Sequence, residues 1–306
     1  MDESVRSTVA SVIVPCRDHA VELDVCLHSL ERQSYEGPRE IIVVDAAADP
    51  AVLAVVEAHP GVGVVREPAG LLPGAARNLG ARRARGGYLA FIDADCVAER
   101  RWLEFAVAAL DTGAIMVGGP VLSAPGDNAI AAADNYLQFY EYTAGRPEGP
   151  SRKFPGCNLA VDRAAFQEAG AFDENLRIGE DTALSIALSS AWPTKSRFVP
   201  EMRVRHSGRR TLRELCAHHE VFGFNRGLSG RELKPRHRRQ GRSRLFLAAA
   251  VAGRATRMLL RSARWDPRRL PKVVMMMPLW LTGLVAWSHG FRRGCLAAAA
   301  DADVGA

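Results

Sequence analysis

Short apolar runs alternate with helical repeats of apolar residues over the first hundred positions of the chain. The first run, at residues 9–15, is rich in β-branched residues and predicts a buried strand, and further strands are predicted at residues 40–45, 62–67 and 88–93. The stretches between them carry apolar residues at helical spacing and predict helices at residues 19–33, 49–58 and 74–85. Strands and helices in this order predict an α/β fold with a mostly parallel sheet and right-handed crossovers.

The rest of the chain changes character twice. Residues 113–200 mix short strands and helices with many Gly and Pro residues. A helical pattern follows at 244–264, and residues 273–291 then contain no formally charged side chain. We therefore predict an α/β domain over residues 1–230 and a basic, apolar, helical region over residues 231–306.

The net charge of +6 conceals a division of charge along the chain. Residues 1–200 carry 18 Lys and Arg against 27 Asp and Glu, whereas residues 201–306 carry 22 against 7. With 48% hydrophobic and 24% charged residues over 306 positions, the composition excludes disordered and fibrous classes. The basic C-terminal part indicates contact with an anionic membrane or a nucleic acid.

Acidic residues follow two of the predicted strands. Asp45 ends the second strand, Asp93 ends the fourth, and Asp95 lies two residues further on. Ligands of such sheets bind beyond the carboxyl ends of the strands, where the loop 15–18 also lies. Two acids at positions i and i+2 can share one hard divalent cation, so Asp93 and Asp95 are candidate metal ligands, and solvated loop acids are the alternative.

Two further segments carry candidate chemistry. Arg77 stands among small residues in the third predicted helix, where its forked guanidinium can reach a phosphate or a nucleobase, or simply face solvent. Glu180 and Asp181 follow Gly179 at the start of another apolar helical repeat. Acids in a first helical turn stabilise the helix end, and this capping role is the alternative to a catalytic one.

Six short motifs occur in a fixed order along the chain. They are Ser11-Val12-Ile13-Val14-Pro15, Ile41-Ile42-Val43-Val44-Asp45, Ala76-Arg77-Asn78 with Gly80, Phe91-Ile92-Asp93-Ala94-Asp95, Asn158-Leu159-Ala160 and Gly179-Glu180-Asp181. Each motif alone is weak, but the ordered set resembles glycosyltransferase family 2 over about residues 9–230. The resemblance implies a GT-A fold, which is Rossmann-like, with a mostly parallel sheet flanked by helices. Beyond the matched residues we predict a C-terminal helical membrane-associated region.

The resemblance implies a donor site at the carboxyl edge of the sheet. The loop that contains Pro15 and Arg17 would hold, together with Asp45, the nucleoside of a nucleotide-sugar donor. Arg77 would contact the base or the diphosphate of the same donor.

It also implies a metal site and a catalytic base. Asp93 would touch the ribose or the metal shell, and Asp95 would ligate Mg²⁺ or Mn²⁺ at the diphosphate. His206 resembles a histidine that completes the metal site in many members. Asp181 would be the catalytic base, and Glu180 would hold hydroxyls of the acceptor or the donor.

These roles predict an inverting, metal-dependent glycosyltransferase of the hexosyltransferase type. An acceptor hydroxyl would attack the anomeric carbon from the face opposite the diphosphate, and a carboxylate would take its proton. No Gln-x-x-Arg-Trp sequence follows His206, so we expect transfer of a single sugar and not processive synthesis. The loop Asp45-Ala46-Ala47-Ala48-Asp49 departs from the family pattern, which leaves the nucleotide open.

The basic C-terminal region predicts attachment to a membrane. Four arginines of the 244–264 pattern fall on one helical face beside apolar residues, as in helices at anionic lipid surfaces. They are Arg254, Arg257, Arg261 and Arg264. Residues 273–291 are interrupted by proline and glycine and basic at both flanks, so we favour an interfacial or re-entrant hairpin over a single span or a buried helix.

The expected location is therefore the cytoplasmic face of the cell membrane, peripheral or monotopic, with a lipid-linked or cell-envelope glycan as acceptor. The six cysteines lack metal-site spacing and agree with reduced thiols.

Three alternatives stay open: sugar transfer to a polyprenyl phosphate, nucleotidyl transfer on a similar sheet, and nucleic-acid binding by the arginines of 231–244. We expect no nucleic-acid partner, because these arginines lack interleaved aromatic residues and adjoin an apolar stretch.

Overall fold

A computed structural model describes residues 9–67, 70–229, 240–241 and 243–304 of the chain. The chain divides into two compact units, which comprise residues 1–122 with 147–206 and residues 123–146 with 207–306. The domain boundary predicted at residues 230 and 231, and most of the basic run 231–244, lie outside the described residues. The predicted two-domain division therefore stays a prediction.

The elements are numbered here in chain order. The strands are β1 (Ala10–Cys16), β2 (Arg39–Asp45), β3 (Val62–Arg66), β4 (Tyr88–Phe91), β5 (Cys96–Ala98), β6 (Met116–Gly118), β7 (Val121–Ser123), β8 (Gly149–Pro150), β9 (Leu159–Asp162), β10 (Ser196–Phe198) and β11 (Val204–His206). The helices are α1 (Ala20–Glu31), α2 (Pro50–Glu57), α3 (Pro73–Arg83), α4 (Trp102–Asp111), α5 (Ala129–Phe139), α6 (Arg163–Glu168), α7 (Glu180–Ala191), α8 (Leu212–Ser229), α9 (Arg244–Trp265), α10 (Leu270–Met275) and α11 (Met277–Val304).

The described strands form one eight-stranded sheet, in the order β3-β2-β1-β4-β9-β6-β10-β8, and one three-stranded sheet, in the order β5-β11-β7. β1 is parallel to β2 and to β4, and β2 is parallel to β3. β9 is antiparallel to its neighbours β4 and β6. A mostly parallel sheet with flanking helices is the predicted fold class, which is confirmed.

Burial and capping explain the first elements. Val12, Ile13 and Val14 of β1 are at most 1% exposed, as expected of a strand covered on both faces. The side chain of Asp49 accepts a hydrogen bond from the backbone of Ala51 and caps α2. All strands and helices predicted over residues 9–93 are present, with ends within two residues of those predicted.

The second unit, in its described residues, is built mainly of helices that pack around Trp280. Trp280 of α11 is fully buried, and its indole Nε1 donates to the backbone oxygen of Val273 at 2.9 Å. Leu137 of α5 and Met258 of α9 belong to the same buried cluster. α5, α9 and α11 therefore share one apolar core.

α8 and α11 approach each other closely through two pairs of glycines. Each of these glycines faces backbone atoms of the other helix; they are Gly223 and Gly227 of α8 and Gly290 and Gly294 of α11. A methyl group on Gly290 would collide with the backbone oxygen of Glu220. Small residues four positions apart allow this backbone contact in both helices.

The four arginines predicted to face a membrane do not form one exposed surface. Arg254 lies over the rings of Tyr140 and Trp287, with its Cζ 5.8 and 5.6 Å from their centroids. Arg261 pairs with Glu141 and also lies over Tyr140. These aromatic and acidic neighbours hold two arginines against the second unit, and only Arg257 and Arg264 of the four are exposed.

The uncharged stretch 273–291 is divided between two helices. α10 ends at Met275 and α11 begins at Met277, and the helical axis bends by 72° at this break. No single helix among the described residues is long and apolar enough to cross a bilayer, whereas the bent pair meets those two criteria when taken together.

Candidate active site

Arg77 lies at the centre of a group of carboxylates beyond the carboxyl edge of the sheet. Its Nη1 donates to Oε1 of Glu180 at 2.7 Å, and its Nη2 donates to Oδ1 of Asp93 at 2.6 Å. The arginine is 4% exposed and Glu180 is 6% exposed. α3 thus supplies a buried cation that joins Asp93, two residues after β4, to the first residue of α7.

Two glycines make room for this arrangement. A Cβ on Gly156 would stand 2.8 Å from Cζ of Arg77, so the guanidinium packs directly on the glycine backbone. A Cβ on Gly74 would stand 2.9 Å from the backbone oxygen of Asp173 and 3.3 Å from Cγ of Glu180. Larger residues at either position would displace the pair of Arg77 and Glu180.

Asp181 is held by backbone donors on both of its oxygens. Oδ2 accepts from the backbone N–H of Gly156 at 2.9 Å, and Oδ1 accepts from the backbone N–H of Thr182 at 2.6 Å. Gly179, with φ of +87°, turns the chain into α7 in a conformation that other residues rarely adopt. Asp181 is half-buried, so its carboxylate is oriented and still reachable.

Burial and charge set the protonation of the site. Burial, with the neighbouring charge of Asp181, raises the pKa of Glu180 to about 7, although Arg77 acts in the opposite direction. Burial alone would lower the pKa of Arg77, but Asp93 and Glu180 outweigh it and raise that pKa. The arginine therefore stays charged, and Glu180 exchanges its proton near neutral pH.

The predicted metal ligands separate into two groups. Oδ2 of Asp95 lies 3.5 Å from Nε2 of His206, because the pairing of β11 with β5 places His206 opposite Cys96. Asp93 is joined to Arg77 instead. A carboxylate oxygen and an imidazole nitrogen at this separation suit two positions around one ion such as Mn²⁺, and the donor set fits the predicted metal.

The nucleoside-binding candidates lie at the edge formed by β1 and β2. Pro15 is in β1 and Arg17 follows it, exposed, while Asp45 is fully buried at the end of β2. Asp45 accepts hydrogen bonds from the backbone of Asp49 at 3.1 Å and from Nε of Arg66 at 3.2 Å. Asp45 thus shapes the loop after β2, and its contact with a nucleoside stays a prediction.

Two structural roles were not evident from the sequence. The link between Arg77 and Glu180 joins positions 103 residues apart, and no local pattern signals it. Asn158 is fully buried, accepts from Trp102 Nε1 at 2.8 Å, and donates to the backbone oxygens of Pro120 and Met202. Its presence in the motif Asn158-Leu159-Ala160 was the available signal. Asn158 joins the start of β9 to α4 and to the segments that precede β7 and β11.

The fold is similar to that of solved glycosyltransferase structures. The mannosyltransferase PcManGT from Pyrobaculum calidifontis, in complex with GDP-Man and Mn²⁺, aligns with a TM-score of 0.53 and 19% identity over 98% of this chain and 77% of its own. GalNAc-T7, with UDP, GalNAc and Mn²⁺, aligns with a TM-score of 0.54 and 19% identity over 76% of this chain and 52% of its own. These similarities support the GT-A fold that the motifs implied.

The family follows from the sequence comparisons. The sequence model of Glycosyl transferase family 2 matches residues 11–170, more than half of the chain, and the chain belongs to this family. It is 29% identical to a pre-mycofactocin glycosyltransferase of Mycobacterium tuberculosis over 70% of the chain and 46% of that protein. It is 29% identical to the glycosyltransferase AglE of Haloferax volcanii over 56% of the chain and 58% of that protein. The chain thus spans about half the length of these relatives.

Proposed function

We propose that this protein is a metal-dependent, inverting glycosyltransferase that moves one sugar from a nucleotide-diphosphate sugar to a hydroxyl of a lipid-linked or cell-envelope glycan. The observation that carries the proposal is the continuous contact from Asp93 through Arg77 to Glu180, next to Asp181. This contact fixes the acids of the donor side relative to those of the acceptor side. Membership of the family supports the same reaction class.

Asp181 is the proposed general base. The acceptor oxygen forms a bond to the anomeric carbon, the bond from that carbon to the diphosphate breaks, and the hydroxyl proton passes to a carboxylate oxygen of Asp181. The nucleoside diphosphate leaves with the electron pair. The backbone donors on both oxygens of Asp181 hold the carboxylate in a fixed orientation, which is what a base in this position needs.

Asp95 and His206 are the proposed protein ligands of the metal, with Asp93 near the ribose or the metal shell. Mg²⁺ or Mn²⁺, when bound there, supplies positive charge for the leaving diphosphate. Arg77 contributes a fixed positive charge from the protein itself, and its two ion pairs keep that charge in place.

Glu180 is proposed to hold sugar hydroxyls beside the base. With its pKa raised to about 7 by burial and by Asp181, it can accept a hydrogen bond when ionised or donate one when protonated. Such a group can orient a hydroxyl beside the base in either protonation state.

We also propose a peripheral or monotopic attachment to the cytoplasmic face of the cell membrane. Support comes from exposed apolar side chains in the second unit, with Leu245 84%, Leu260 64% and Met275 75% exposed. The exposed Arg257 and Arg264 stand on the same helix as two of them. Apolar and cationic side chains together favour an anionic lipid surface.

The test of the proposed reaction is a screen of donors with the full chain. GDP- and UDP-sugars come first, since the structurally similar enzymes are in complex with GDP-Man and with UDP and GalNAc, and each donor is supplied with Mn²⁺ or Mg²⁺. We expect release of a nucleoside diphosphate from at least one donor and its loss on chelation of the metal. Release of pyrophosphate from a nucleoside triphosphate would instead establish a nucleotidyltransferase, and no turnover across the panel would contradict the proposal.

A further inference from the structure

A second group of metal-ligating side chains lies on the helices beside β1 and β2. Asp24 and His28 are four positions apart on α1, and His59 follows α2. One ligand atom from each of these three residues lies within 4.8 Å of the other two. None of the three takes part in the contacts of Arg77, Asp95 or Asp181 described above.

His59 is held by carboxylates on both ring nitrogens. Its Nε2 lies 3.1 Å from Oδ1 of Asp24, and its Nδ1 lies 2.8 Å from Oε1 of Glu31. The ring is buried, with 3% of the residue exposed. Glu31 therefore fixes the orientation of the ring and directs Nε2 towards Asp24.

His28 completes the group from the solvent side. Its ring meets that of His59 edge to face, with the centroids 4.7 Å apart. Its Nδ1 lies 3.0 Å from the backbone oxygen of Asp24, one turn earlier in α1. This contact positions one nitrogen of the ring and leaves the other available to a ligand.

We propose that Asp24, His28 and His59 form a binding site for one divalent transition-metal ion of the zinc class, separate from the site at Asp95 and His206. Two imidazoles and one carboxylate are a ligand set that zinc accepts with a fourth position open to water. Ligand atoms of a tetrahedral zinc at about 2.0–2.1 Å from the ion lie roughly 3.4 Å apart, and the Asp24–His59 separation of 3.1 Å is close to this value. Glu31 acts as the outer carboxylate that orients a ligating histidine.

The ion would replace the proton on Nε2 of His59 and release it to solvent. Without the ion, the same ring lies between the carboxylates of Asp24 and Glu31. With it, α1 and the segment after α2 are joined by coordinate bonds. Because α1 follows the Pro15–Arg17 loop and α2 follows Asp45, the ion would stabilise the part of the sheet edge that carries both.

Visible absorption of bound Co²⁺ tests the site in the full chain, in the presence of excess Mg²⁺ to occupy oxygen-rich sites. We expect one tightly bound Co²⁺ with the intense spectrum of tetrahedral coordination, displaced by Zn²⁺. His28→Gln should weaken Co²⁺ binding at least about tenfold, because it removes one of the three ligands. The side chain of His28 is half-exposed, so the substitution does not disturb core packing. His289→Gln is the matched control. It removes an exposed histidine that lies beside a carboxylate, as His28 does, and should leave Co²⁺ binding unchanged.

Two further variants locate the ion. Glu31→Gln should weaken Co²⁺ binding about 10–100-fold, since it removes the group that orients His59. Asp95→Asn should leave the spectrum unchanged. The proposal is overturned if the wild-type chain binds no Co²⁺, if His28→Gln binds it as tightly as His289→Gln does, or if the spectrum disappears in Asp95→Asn.

Discussion

At the scale of single residues, one buried arginine organises the candidate site. Arg77 is among the residues that a sequence motif identifies, and the motif did not indicate its contacts within the protein. Both of its terminal nitrogens are bonded to carboxylates of the protein, Asp93 and Glu180. Removing a charge from such a buried pair is costly, since the remaining charge has no compensation. Arg77 is thus a positioning group as well as a source of positive charge.

The space at Gly156 tests this role of Arg77. Gly156→Ala would place a methyl group 2.8 Å from Cζ and 2.9 Å from Nη2 of Arg77, so the guanidinium must move. We expect kcat to fall at least about tenfold, because small displacements of positioning groups are costly in catalysis. The fold should remain, which circular dichroism checks.

Gly253→Ala is the matched control. A methyl group there would meet no atom of the described residues within 4 Å, and alanine is the better helix former. Its kcat should equal that of the wild type. Equal activity of Gly156→Ala and Gly253→Ala would show that the position of Arg77 is unimportant.

Glu180 gives the site a dependence on pH. Its pKa in the folded protein, about 7, lies above the ordinary value of 4.5, so the folded state holds this proton more tightly than the unfolded state does. The stability contributed by protonation is present below pH 4.5 and is lost as the pH rises to about 7.

Glu180→Gln removes this titration. The free energy of unfolding of the variant minus that of the wild type should therefore increase between about pH 4.5 and 7, by an amount on the order of 3 kcal/mol. Urea unfolding at a series of pH values measures the difference. A difference that is constant over this range would refute the raised pKa.

The sequence identified the acids of the site but not their partners. Asp93, Asp95 and Asp181 follow predicted strands or begin a predicted helix, and local patterns reveal such positions. The partners come from distant segments, as with Gly156 for Asp181 and His206 for Asp95. Contacts of this kind depend on tertiary packing, which a single sequence does not show.

At the scale of elements, the parallel strands were predictable and the C-terminal helices were not fully so. Short apolar runs separated by helical repeats predict β1 to β4 to within two residues at each end. Proline and glycine in the stretch 273–291 indicated an interruption, but the sequence did not locate the break at Met276. Pro278 in the first turn of α11 and the bond from Trp280 to Val273 stabilise that break.

The contact between α8 and α11 depends on glycines that carry no chemistry. Gly290→Ala would force a methyl group against the backbone oxygen of Glu220, and neither backbone can move without separating the helices. We expect a loss of about 1–3 kcal/mol in stability, as for other over-packed positions. Thermal unfolding measures it, again with Gly253→Ala as the variant that should not be destabilised. A Gly290→Ala protein as stable as the wild type would contradict the close approach of the two helices.

At the scale of the whole molecule, the acidic N-terminal part and the basic C-terminal part of the chain use their charged residues in different ways. The acidic residues of the first unit include the site carboxylates, as the sequence indicated. In the second unit Arg254 and Arg261 stabilise the helices from within, whereas Arg257 and Arg264 are exposed. The net charge of a segment does not distinguish arginines that pack against other side chains from arginines that face solvent, because it carries no information on packing.

Membrane attachment is tested by flotation of the full chain with vesicles that contain phosphatidylserine. We expect binding that weakens with salt, and a loss of at least about tenfold in the double variant Arg257→Glu with Arg264→Glu, since each cation near an anionic surface contributes about 1 kcal/mol. Arg32→Glu with Arg83→Glu changes the net charge equally at exposed positions of the first unit and should retain binding. Equal flotation of both double variants would contradict the assignment of this surface.

The central claim, that Asp181 is the base of a glycosyl transfer to a hydroxyl, is tested most directly by Asp181→Asn. Steady-state kinetics with the donor found in the screen and a hydroxyl acceptor should show a fall in kcat of about 10²–10⁴-fold with little change in the KM for the donor. Glu168→Gln, which changes an exposed carboxylate on α6, should behave as the wild type. Near-normal kcat for Asp181→Asn would contradict the claim and would favour an acceptor that is already an anion, such as a polyprenyl phosphate.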